Sequence, residues 1–523
     1  MNGAQALIGT LYANGVEVCF ANPGTSEMQL VAAIDRHPRM RAILALFEGV
    51  VTGAADGYGR MAGRPAATLL HLGPGLANGC ANLHNARRAR SPVINIVGDH
   101  ATHHAALDAP LTSDVARVAA PMSDWVRVSR SADDLAVAGG EAVMAARVAP
   151  GQVATLIAPA NHAWEPCDPH PGIAAVPPAA PRVAEAAVEA AAETLRTDGP
   201  KALFVGGPAL TAQALEDLGR IAQASGARLI CETFPARLQR GAGRVAVERL
   251  PYFGEVAAAF LRDFSAIVFV GAPPPVAFFA YPDKPGRLSP PGAALVVLAD
   301  ARQDVADALG RLAEQLDAPV VASCPAPDPV VETFDGRLTP KVIGALLGEL
   351  LPPDAIVSDE AGTAGLSIFE RTAAAAPHDW LTLTGGSIGQ GLPVALGAAI
   401  ACPDRKVVAL QADGSGMYTL QALWTMAREA ADVTVVLINN GAYAILQHEL
   451  QRVGVTDAGE KARALLDLTS PGLDWTSLAA GMGVPAVRVQ TPEAFREALQ
   501  TALAASGPRL VEAYMVRSPG AGR

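Results

Sequence analysis

Short runs of apolar residues alternate with longer stretches of helical composition along most of the chain. Near the N-terminus, Ala4, Leu7 and Leu11 recur at helical spacing, which predicts a first helix. Gly15 is the residue at which that helix is expected to stop. Further along, apolar runs predict strands at 16–20, 41–46, 66–70 and 93–97. Strands that alternate with helices predict a parallel, doubly wound α/β sheet.

The same alternation appears two more times, after segments that are rich in proline and lack periodicity. These segments, 162–182 and 323–340, are interpreted as linkers. The predicted domains are therefore 1–165, 183–322 and 341–523. A chain of 523 residues is too long for one hydrophobic core. The predicted fold class is α/β, with three doubly wound parallel-sheet domains.

The third segment contains a pattern of polar residues that indicates a binding site. Asp413 follows the apolar run 406–411, and Asn439 and Asn440 follow the run that begins at Val433, with a helical stretch at 418–431 between them. The carboxyl ends of parallel strands meet at one sheet edge, where α/β proteins bind ligands. Carboxylate and amide oxygens beside a glycine-containing turn suit a hard cation such as Mg²⁺, bridging to a phosphate. Each piece alone is also compatible with an ordinary turn between a strand and a helix.

Two residues of the first segment are candidates for acid–base chemistry. Glu48 lies between an apolar strand and the small-residue face of a helix. A glutamate there either stabilises the helix dipole or handles protons next to a nitrogen heterocycle. His71 follows a strand and precedes Gly73-Pro74-Gly75, which we interpret as a turn. A histidine at a strand end is either a structural residue or part of a pocket.

Composition and charge narrow the classes of function. Half of the residues are apolar, 17% are charged and the net charge is −11, which disfavours binding to nucleic acid or to an anionic membrane. The six cysteines are scattered without a C-x-x-C pair, so neither a zinc site nor a disulfide framework is expected. The N-terminus lacks the pattern of a signal peptide, and no apolar run is long enough to cross a membrane. A cytoplasmic location is the expectation.

Two weaker patterns point to other ligands. His100, His103 and His104 cluster within five residues and could bind a transition metal, but their spacing fits no standard zinc site. A polar loop is the preferred interpretation of this cluster. Gly206-Gly207 follows a strand, as in dinucleotide-binding proteins, but the pattern G-x-G-x-x-G is absent.

Taken together, these motifs resemble those of the thiamine diphosphate (ThDP) enzymes of the 2-oxo acid decarboxylase and acetolactate synthase group. The shared pattern is Ala412-Asp413-Gly414 followed by Asn439-Asn440, with alanine in place of the usual first glycine, together with Glu48 in the first segment. The resemblance covers essentially the whole chain, as pyrimidine-binding, central and diphosphate-binding domains. Within the group it is greatest to benzoylformate decarboxylases, through the motif at 22–27 and through Leu70-His71.

The resemblance implies roles for individual residues. It implies that Mg²⁺ is bound by Asp413, Asn440 and the backbone carbonyl of Ala442, and that Gly414 and Ser415 contact the diphosphate. It also implies contacts to the aminopyrimidine. Glu48 would form a hydrogen bond with N1′, and the backbone carbonyl of Gly386 would accept one from the 4′-amino group. The apolar side chain of Ile388 would hold the cofactor in a bent conformation. His71 would carry out proton steps, and Thr25 would bind the substrate carboxylate.

The implied reaction is non-oxidative decarboxylation of a 2-oxo acid to an aldehyde. An alternative is a carboligase of acetolactate synthase type, with FAD in the central domain as a further possibility, and another is a ThDP-binding regulatory protein without turnover. Gly73-Pro74-Gly75 is similar to acetolactate synthases, and the second histidine of benzoylformate decarboxylases is absent near Phe278-Phe279. The resemblance also implies a homodimer or dimer of dimers, in which Glu48 and Asp413 serve one site from different subunits.

Overall fold

The N-terminal part of the chain forms a six-stranded sheet with helices on both faces. The computed structural model describes residues 1–168, 174–324 and 336–516. All strands of this sheet are parallel, in the order β2-β1-β3-β4-β6-β5. The strands are β1 Val18–Asn22, β2 Arg41–Leu44, β3 Ala66–Leu70, β4 Val93–Asp99, β5 Trp125–Val128 and β6 Val153–Pro159. The helices are α1 Gly3–Ala13, α2 Met28–Asp35, α3 Glu48–Ala62, α4 Leu72–Ala89, α5 Val115–Ala119, α6 Ala132–Ala146 and α7 Ala160–Trp164.

The middle part of the chain forms a five-stranded parallel sheet, in the order β10-β8-β7-β11-β12. The strands of this segment are β7 Lys201–Val205, β8 Arg228–Cys231, β9 Leu238–Arg240, β10 Glu248–Arg249, β11 Ala266–Val270 and β12 Ala294–Ala299. Its helices are α8 Glu185–Arg196, α9 Ala212–Ser225, α10 Gly254–Leu261 and α11 Val305–Gln315. Strand β9 belongs to a different sheet, described next.

The C-terminal part forms a seven-stranded sheet, in the order β17-β18-β16-β15-β13-β14-β9. Its own strands are β13 Ile356–Glu360, β14 His378–Thr382, β15 Val407–Ala412, β16 Val433–Asn439, β17 Ala486–Val489 and β18 Arg509–Tyr514. The helices are α12 Pro340–Leu350, α13 Thr363–Arg371, α14 Gly391–Ala401, α15 Asp413–Gly416, α16 Ala422–Arg428, α17 Ala444–Arg452, α18 Glu460–Ala464, α19 Trp475–Gly481 and α20 Pro492–Ala504. Within the three described ranges, no helix is both long and apolar enough to cross a bilayer.

The predicted fold class is confirmed, with one connection between sheets that the pattern did not indicate. Strand β9, from the predicted central domain, pairs antiparallel with β14 of the third sheet. The domain boundaries 1–165, 183–322 and 341–523 stay predictions, and both predicted linkers and residues 517–523 lie wholly or partly outside the described residues.

Close packing of α3 against α14 joins the first and third sheets within one chain. A Cβ at Gly57 would lie 2.2 Å from the Val394 carbonyl oxygen, and a Cβ at Gly397 would lie 1.9 Å from that of Ala54. Only glycine allows the two helix backbones to approach this closely. Buried apolar residues of both sheets therefore form one continuous cluster around these helices.

Two local predictions are wrong. Gly73-Pro74-Gly75 is the first turn of α4, because a proline near a helix start removes no hydrogen bond that the helix needs. The sharp bend instead lies at Leu72, a buried residue with φ of 47°. The stretch 418–431 is not one helix, since α15 begins at Asp413 and α16 covers only Ala422–Arg428.

Candidate functional site

The ends of β15 and β16 bring the polar residues of the third sheet together, as the pattern predicts. The strands pair in parallel, with Ala412 opposite Ile438. The backbone N–H of Gly441 donates to Asp413 Oδ2 (2.8 Å) and to Asn439 Oδ1 (3.2 Å). The N–H of Ala442 donates to Asn440 Oδ1 at 3.0 Å. One short loop therefore holds the carboxylate, an amide oxygen and the Ala442 backbone at one sheet edge.

Asp413 is a buried carboxylate without a cationic partner among the described residues. Its side chain is 1% exposed, and only backbone N–H groups contact it. Burial raises its pKa to about 6, and the N–H groups of Gly441 and Gly414 offset only part of that effect. Such a carboxylate is stabilised by a cation. The candidate ligand atoms around this carboxylate are all oxygens, so the set fits a hard divalent ion such as Mg²⁺.

Gly414 and Ser415, predicted to contact the diphosphate, form the first turn of α15. A Cβ at Gly414 would lie 2.6 Å from the Tyr443 ring, so glycine is required for that ring to pack here. The Ser415 hydroxyl accepts from Gln411 Nε2 at 2.6 Å and donates back to carbonyl oxygens of its own sheet edge. The hydroxyl is thus engaged within the protein, and only backbone N–H groups of this turn can serve a phosphate.

The loop 385–391, which carries Gly386 and Ile388, is held by a buried carboxylate. Glu360 accepts the N–H groups of Gly389 (2.5 Å), Gln390 (3.3 Å) and Gly391 (2.6 Å), at the end of β13. Burial raises the pKa of Glu360, although these N–H donors oppose that effect. Gly386 is exposed with φ of 75°, and Ile388 is half-buried.

Helix α4 connects this loop to the first sheet in the same chain. The amide of Asn82 donates to both the Gly49 and Gly389 carbonyl oxygens, at 2.8 and 3.0 Å. Asn85 Nδ2 donates to the Ser387 carbonyl at 2.7 Å. With Asn78, these residues form a row of asparagines at helical spacing, a signal in the sequence that the interpretation missed.

Glu48 begins α3 at the carboxyl edge of the first sheet, as predicted. The side chain is 8% exposed, and the amide of Asn78 donates to Glu48 Oε2 at 3.0 Å. A Cβ at Gly75 would lie 3.2 Å from Glu48 Oε1 and 3.4 Å from His71 Cβ, so Glu48 and His71 flank the same glycine. The second oxygen of the carboxylate has no hydrogen-bond donor among the described residues, and it can accept from a bound heterocycle.

His71 is paired with a carboxylate that the interpretation of the sequence missed. His71 Nδ1 lies 2.8 Å from Glu27 Oε2 and 3.3 Å from the Ser26 hydroxyl. The His71 side chain is 22% exposed, whereas that of Glu27 is fully buried. Thr25, in the same short turn, is exposed. Glu27 closes the motif 22–27, and an acidic residue there was the available signal.

The predicted residues therefore form two groups. Thr25, Glu48 and His71 lie at the edge of the first sheet, while Asp413, Asn440 and Ala442 lie at the edge of the third. No hydrogen bond or ion pair in the described part of the chain joins the Glu48 side chain to Asp413. Whether the two groups meet across a subunit interface stays a prediction.

His100, His103 and His104 do not come together as a three-residue metal-binding group in the described part of the chain. His100 and His104 have ring centroids 5.7 Å apart, on the loop after β4. Across residues 1–168, 174–324 and 336–516, no group of three or more His, Cys, Asp or Glu side chains could hold a metal ion. The interpretation of this cluster as a polar loop stays a prediction.

Comparisons with known proteins find similarity along the whole chain. The family model "Thiamine pyrophosphate enzyme, N-terminal TPP binding domain" matches residues 1–118, and "Thiamine pyrophosphate enzyme, C-terminal TPP binding domain" matches residues 360–513. The chain is 53% identical over 514 residues to "Putative acetolactate synthase large subunit IlvX" of Mycobacterium tuberculosis, with 98% of each chain covered. It is 30% identical over 531 residues to benzoylformate decarboxylase of Pseudomonas aeruginosa, with 95% of this chain and 96% of the other covered.

Among solved structures, the chain is similar to the thiamine diphosphate-dependent 4-hydroxybenzoylformate decarboxylase of Rhodococcus jostii RHA1. The TM-score is 0.85 at 25% identity, with 99% of this chain and 100% of the other covered. Benzoylformate decarboxylase from Polynucleobacter necessarius has the same fold, with a TM-score of 0.85 at 22% identity.

Proposed function

This chain belongs to the family of thiamine pyrophosphate enzymes, and from that premise we propose that it decarboxylates a 2-oxo acid to an aldehyde without oxidation. The observation that carries the proposal is the His71–Glu27 pair beside Glu48. Release of an aldehyde requires a proton to reach the carbon atom that has lost CO₂. His71 is the partly exposed, carboxylate-supported group placed to deliver that proton.

The residues of the third sheet would hold the cofactor. Asp413, the Asn440 side-chain oxygen and the Ala442 carbonyl would bind Mg²⁺, and backbone N–H groups of Gly414 and Ser415 would face the diphosphate. When bound, ThDP supplies the carbon nucleophile and the electron sink for CO₂ release. Gly386 and Ile388, on the loop anchored by Glu360, would position the aminopyrimidine.

The first sheet would supply the proton chemistry. Glu48, fixed by Asn78, would bond N1′ of the aminopyrimidine through its remaining oxygen. Thr25, an exposed residue next to Ser26, would donate its hydroxyl hydrogen to the substrate carboxylate.

We also propose that Glu48 and Asp413 serve one site from different subunits of a homodimer or a dimer of dimers. Mixing two inactive variants tests this arrangement. In a mixed dimer of Glu48→Ala and Asp413→Ala chains, one of the two sites carries both native residues. Activity should therefore return after the chains are dissociated and reassembled together. No recovery in a verified mixed dimer would indicate a site within one chain.

A carboligase of acetolactate synthase type is the second candidate. Two observations favour it: the name of the IlvX relative and the absence of a histidine at Phe278-Phe279, which are exposed aromatic residues. FAD binding in the central sheet has less support. A Cβ at Gly206 would lie 2.9 Å from Glu232 Oε1, and the same carboxylate accepts the Gly207 N–H. A diphosphate would need that N–H group for itself.

A panel of aliphatic and aromatic 2-oxo acids tests the proposed function. Purified protein with ThDP and Mg²⁺ should release CO₂ and an aldehyde in equal amounts from at least one member. Glu48→Gln should lower turnover by about 100-fold or more, whereas Glu193→Gln, an exposed change on α8, should not. A 2-hydroxy-3-oxo acid, formed from two substrate molecules with release of one CO₂, in place of the aldehyde supports the carboligase, and a yellow protein supports FAD. ThDP binding without any turnover would support the regulatory alternative.

A further inference from the structure

Glu27 is a fully buried carboxylate with three hydrogen-bond partners: the Gly24 N–H, the Ser26 hydroxyl and the His71 ring. Its Oε2 accepts the backbone N–H of Gly24 at 2.8 Å and lies 2.8 Å from His71 Nδ1. Its Oε1 accepts the Ser26 hydroxyl at 2.7 Å. Because Ser26 gives its single proton to Glu27, the Ser26 oxygen acts as an acceptor toward His71 Nδ1, 3.3 Å away. Both groups beside Nδ1 are therefore acceptors.

We propose that Glu27 is a positioning residue that fixes the tautomer of His71, an inference that rests on the proposed role of His71 in proton transfer. With acceptors on that side, Nδ1 must carry a hydrogen atom in every protonation state. The proton that His71 exchanges is then always on Nε2, the nitrogen that has no protein partner among the described residues. Without Glu27, neutral His71 could protonate either nitrogen, and in one form Nε2 could not accept a proton.

Two glycines make room for this arrangement. A Cβ at Gly98, near the end of β4, would lie 1.7 Å from Glu27 Oε1. A Cβ at Gly24 would lie 2.3 Å from the His71 ring. The left-handed residue Leu72 turns the chain immediately after His71. The ends of β1, β3 and β4 therefore meet around the hydrogen bond between Glu27 and His71, and the ring has a fixed orientation before any substrate binds.

Nitrogen NMR of the full-length protein, labelled with ¹⁵N-histidine, reads the tautomer directly. At about pH 9, where histidines are neutral, the His71 signals should show a protonated Nδ1 and a bare Nε2. The signals are assigned by their loss in His71→Gln. The buried pair of Ser129 and His162, 2.9 Å apart, is an internal control that no change at residue 27 should alter.

Two substitutions separate the hydrogen bond from simple packing. In Glu27→Ala the acceptor is lost, so His71 should shift to a mixture of tautomers, and kcat should fall about 10- to 100-fold with KM changed less than about threefold. Glu27→Gln keeps an oxygen that can accept from Nδ1–H and Gly24, so it should retain the tautomer and recover most of kcat. Thermal unfolding of each variant shows whether the fold is intact.

A wild-type protein with a protonated Nε2 and a bare Nδ1 would overturn the inference. So would a folded Glu27→Ala variant whose tautomer and kcat are both unchanged. If Glu27→Ala does not fold, the wild type and Glu27→Gln still decide the tautomer. A wild type that shows the expected tautomer but acts on no 2-oxo acid would contradict the proposed function and leave the role of Glu27 in place.

Discussion

The third sheet carries two buried aspartates with opposite electrostatic surroundings. One lies at the amino ends of the strands, the amino edge, and the other lies at their carboxyl ends, the carboxyl edge. Asp379 lies at the start of β14 and Asp413 at the end of β15, and each is 1% exposed. At Asp379, Arg237 Nε (2.6 Å) and Arg405 Nη2 (2.5 Å) bind the two carboxylate oxygens. At Asp413, the donors are backbone N–H groups alone.

The same degree of burial therefore has opposite consequences. Burial acts to raise the pKa of both carboxyls, but at Asp379 the two arginines outweigh it and lower the pKa. At Asp413 no cationic side chain of the described ranges opposes the effect of burial, and the pKa rises to about 6. A buried carboxylate that lacks a cation costs folding free energy. The unpaired charge of Asp413 supports the proposed cation site at the carboxyl edge, whereas the charge of Asp379 at the amino edge is already paired within the protein.

The largest expected effect comes from removing the carboxylate at the carboxyl edge. Asp413→Asn should weaken Mg²⁺-dependent ThDP binding by about 100-fold or more, because it removes the charged ligand. Calorimetry measures this affinity. The control is Asp404→Asn, a substitution at an exposed position before β15, which should leave the affinity for ThDP unaltered. An unchanged affinity in Asp413→Asn would remove the basis for the proposed cation site.

The same variant should have a more stable fold when no cofactor is present. Above pH 6 the ionised Asp413 is a cost that the amide avoids, so Asp413→Asn should raise the free energy of unfolding by about 1–3 kcal/mol. A raised folded-state pKa means that this gain disappears as the pH falls below about 4. Denaturant unfolding of the variant and the wild type at pH 4 and pH 8 measures the difference in unfolding free energy at each pH. A loss of stability at pH 8 would contradict the comparison.

At the amino edge, removal of the carboxylate should affect stability and not binding. Asp379→Asn leaves Arg237 and Arg405 without their counter-charge, and we expect a loss of about 2–3 kcal/mol in unfolding free energy. The affinity for ThDP should change less than about twofold, since cofactor binding belongs to the other edge. A variant with normal stability and weakened ThDP binding would reverse the assignment of the two edges.

The amino edge should also contribute a pH dependence of its own. Burial and then Arg240 lower the pKa of His378 to about 4. In the unfolded chain, His378 binds a proton near pH 6.5. Because the folded protein binds that proton only near pH 4, lowering the pH from 6.5 toward 4 favours the unfolded chain and reduces the free energy of unfolding. His378→Gln should therefore flatten the unfolding free energy between pH 4 and 6.5. An equally steep profile in the variant would assign that slope to other groups.

The smallest effect is expected at Ala412, the departure from the family pattern. Its backbone has φ of −82° and ψ of 151°, an extended conformation that any residue adopts. Ala412→Gly should therefore change ThDP affinity by less than about threefold. A gain of tenfold or more would show that the methyl group restricts the site.

The sequence was most informative where local periodicity carries the information. The strand at 66–70 is observed at its predicted position, and parallel strand ends brought Asp413 and Asn440 together as expected. Glu27 was missed because its partner His71 is 44 residues away, and the pair forms only because β1 and β3 are neighbours. Strand β9 was missed because three residues carry too little periodicity to show which sheet they join.

The sequence by itself determined the α/β class, the family and the identity of the candidate ligands, because these follow from short-range patterns of apolar and polar residues. Only the tertiary structure decided which buried charges are compensated. Asp379 forms ion pairs with Arg237 and Arg405, whereas Asp413 forms no ion pair with any residue that the structure describes. That difference depends on which side chains the packed sheets bring within a few ångströms, and electrostatic energy at such distances is not encoded in any local pattern.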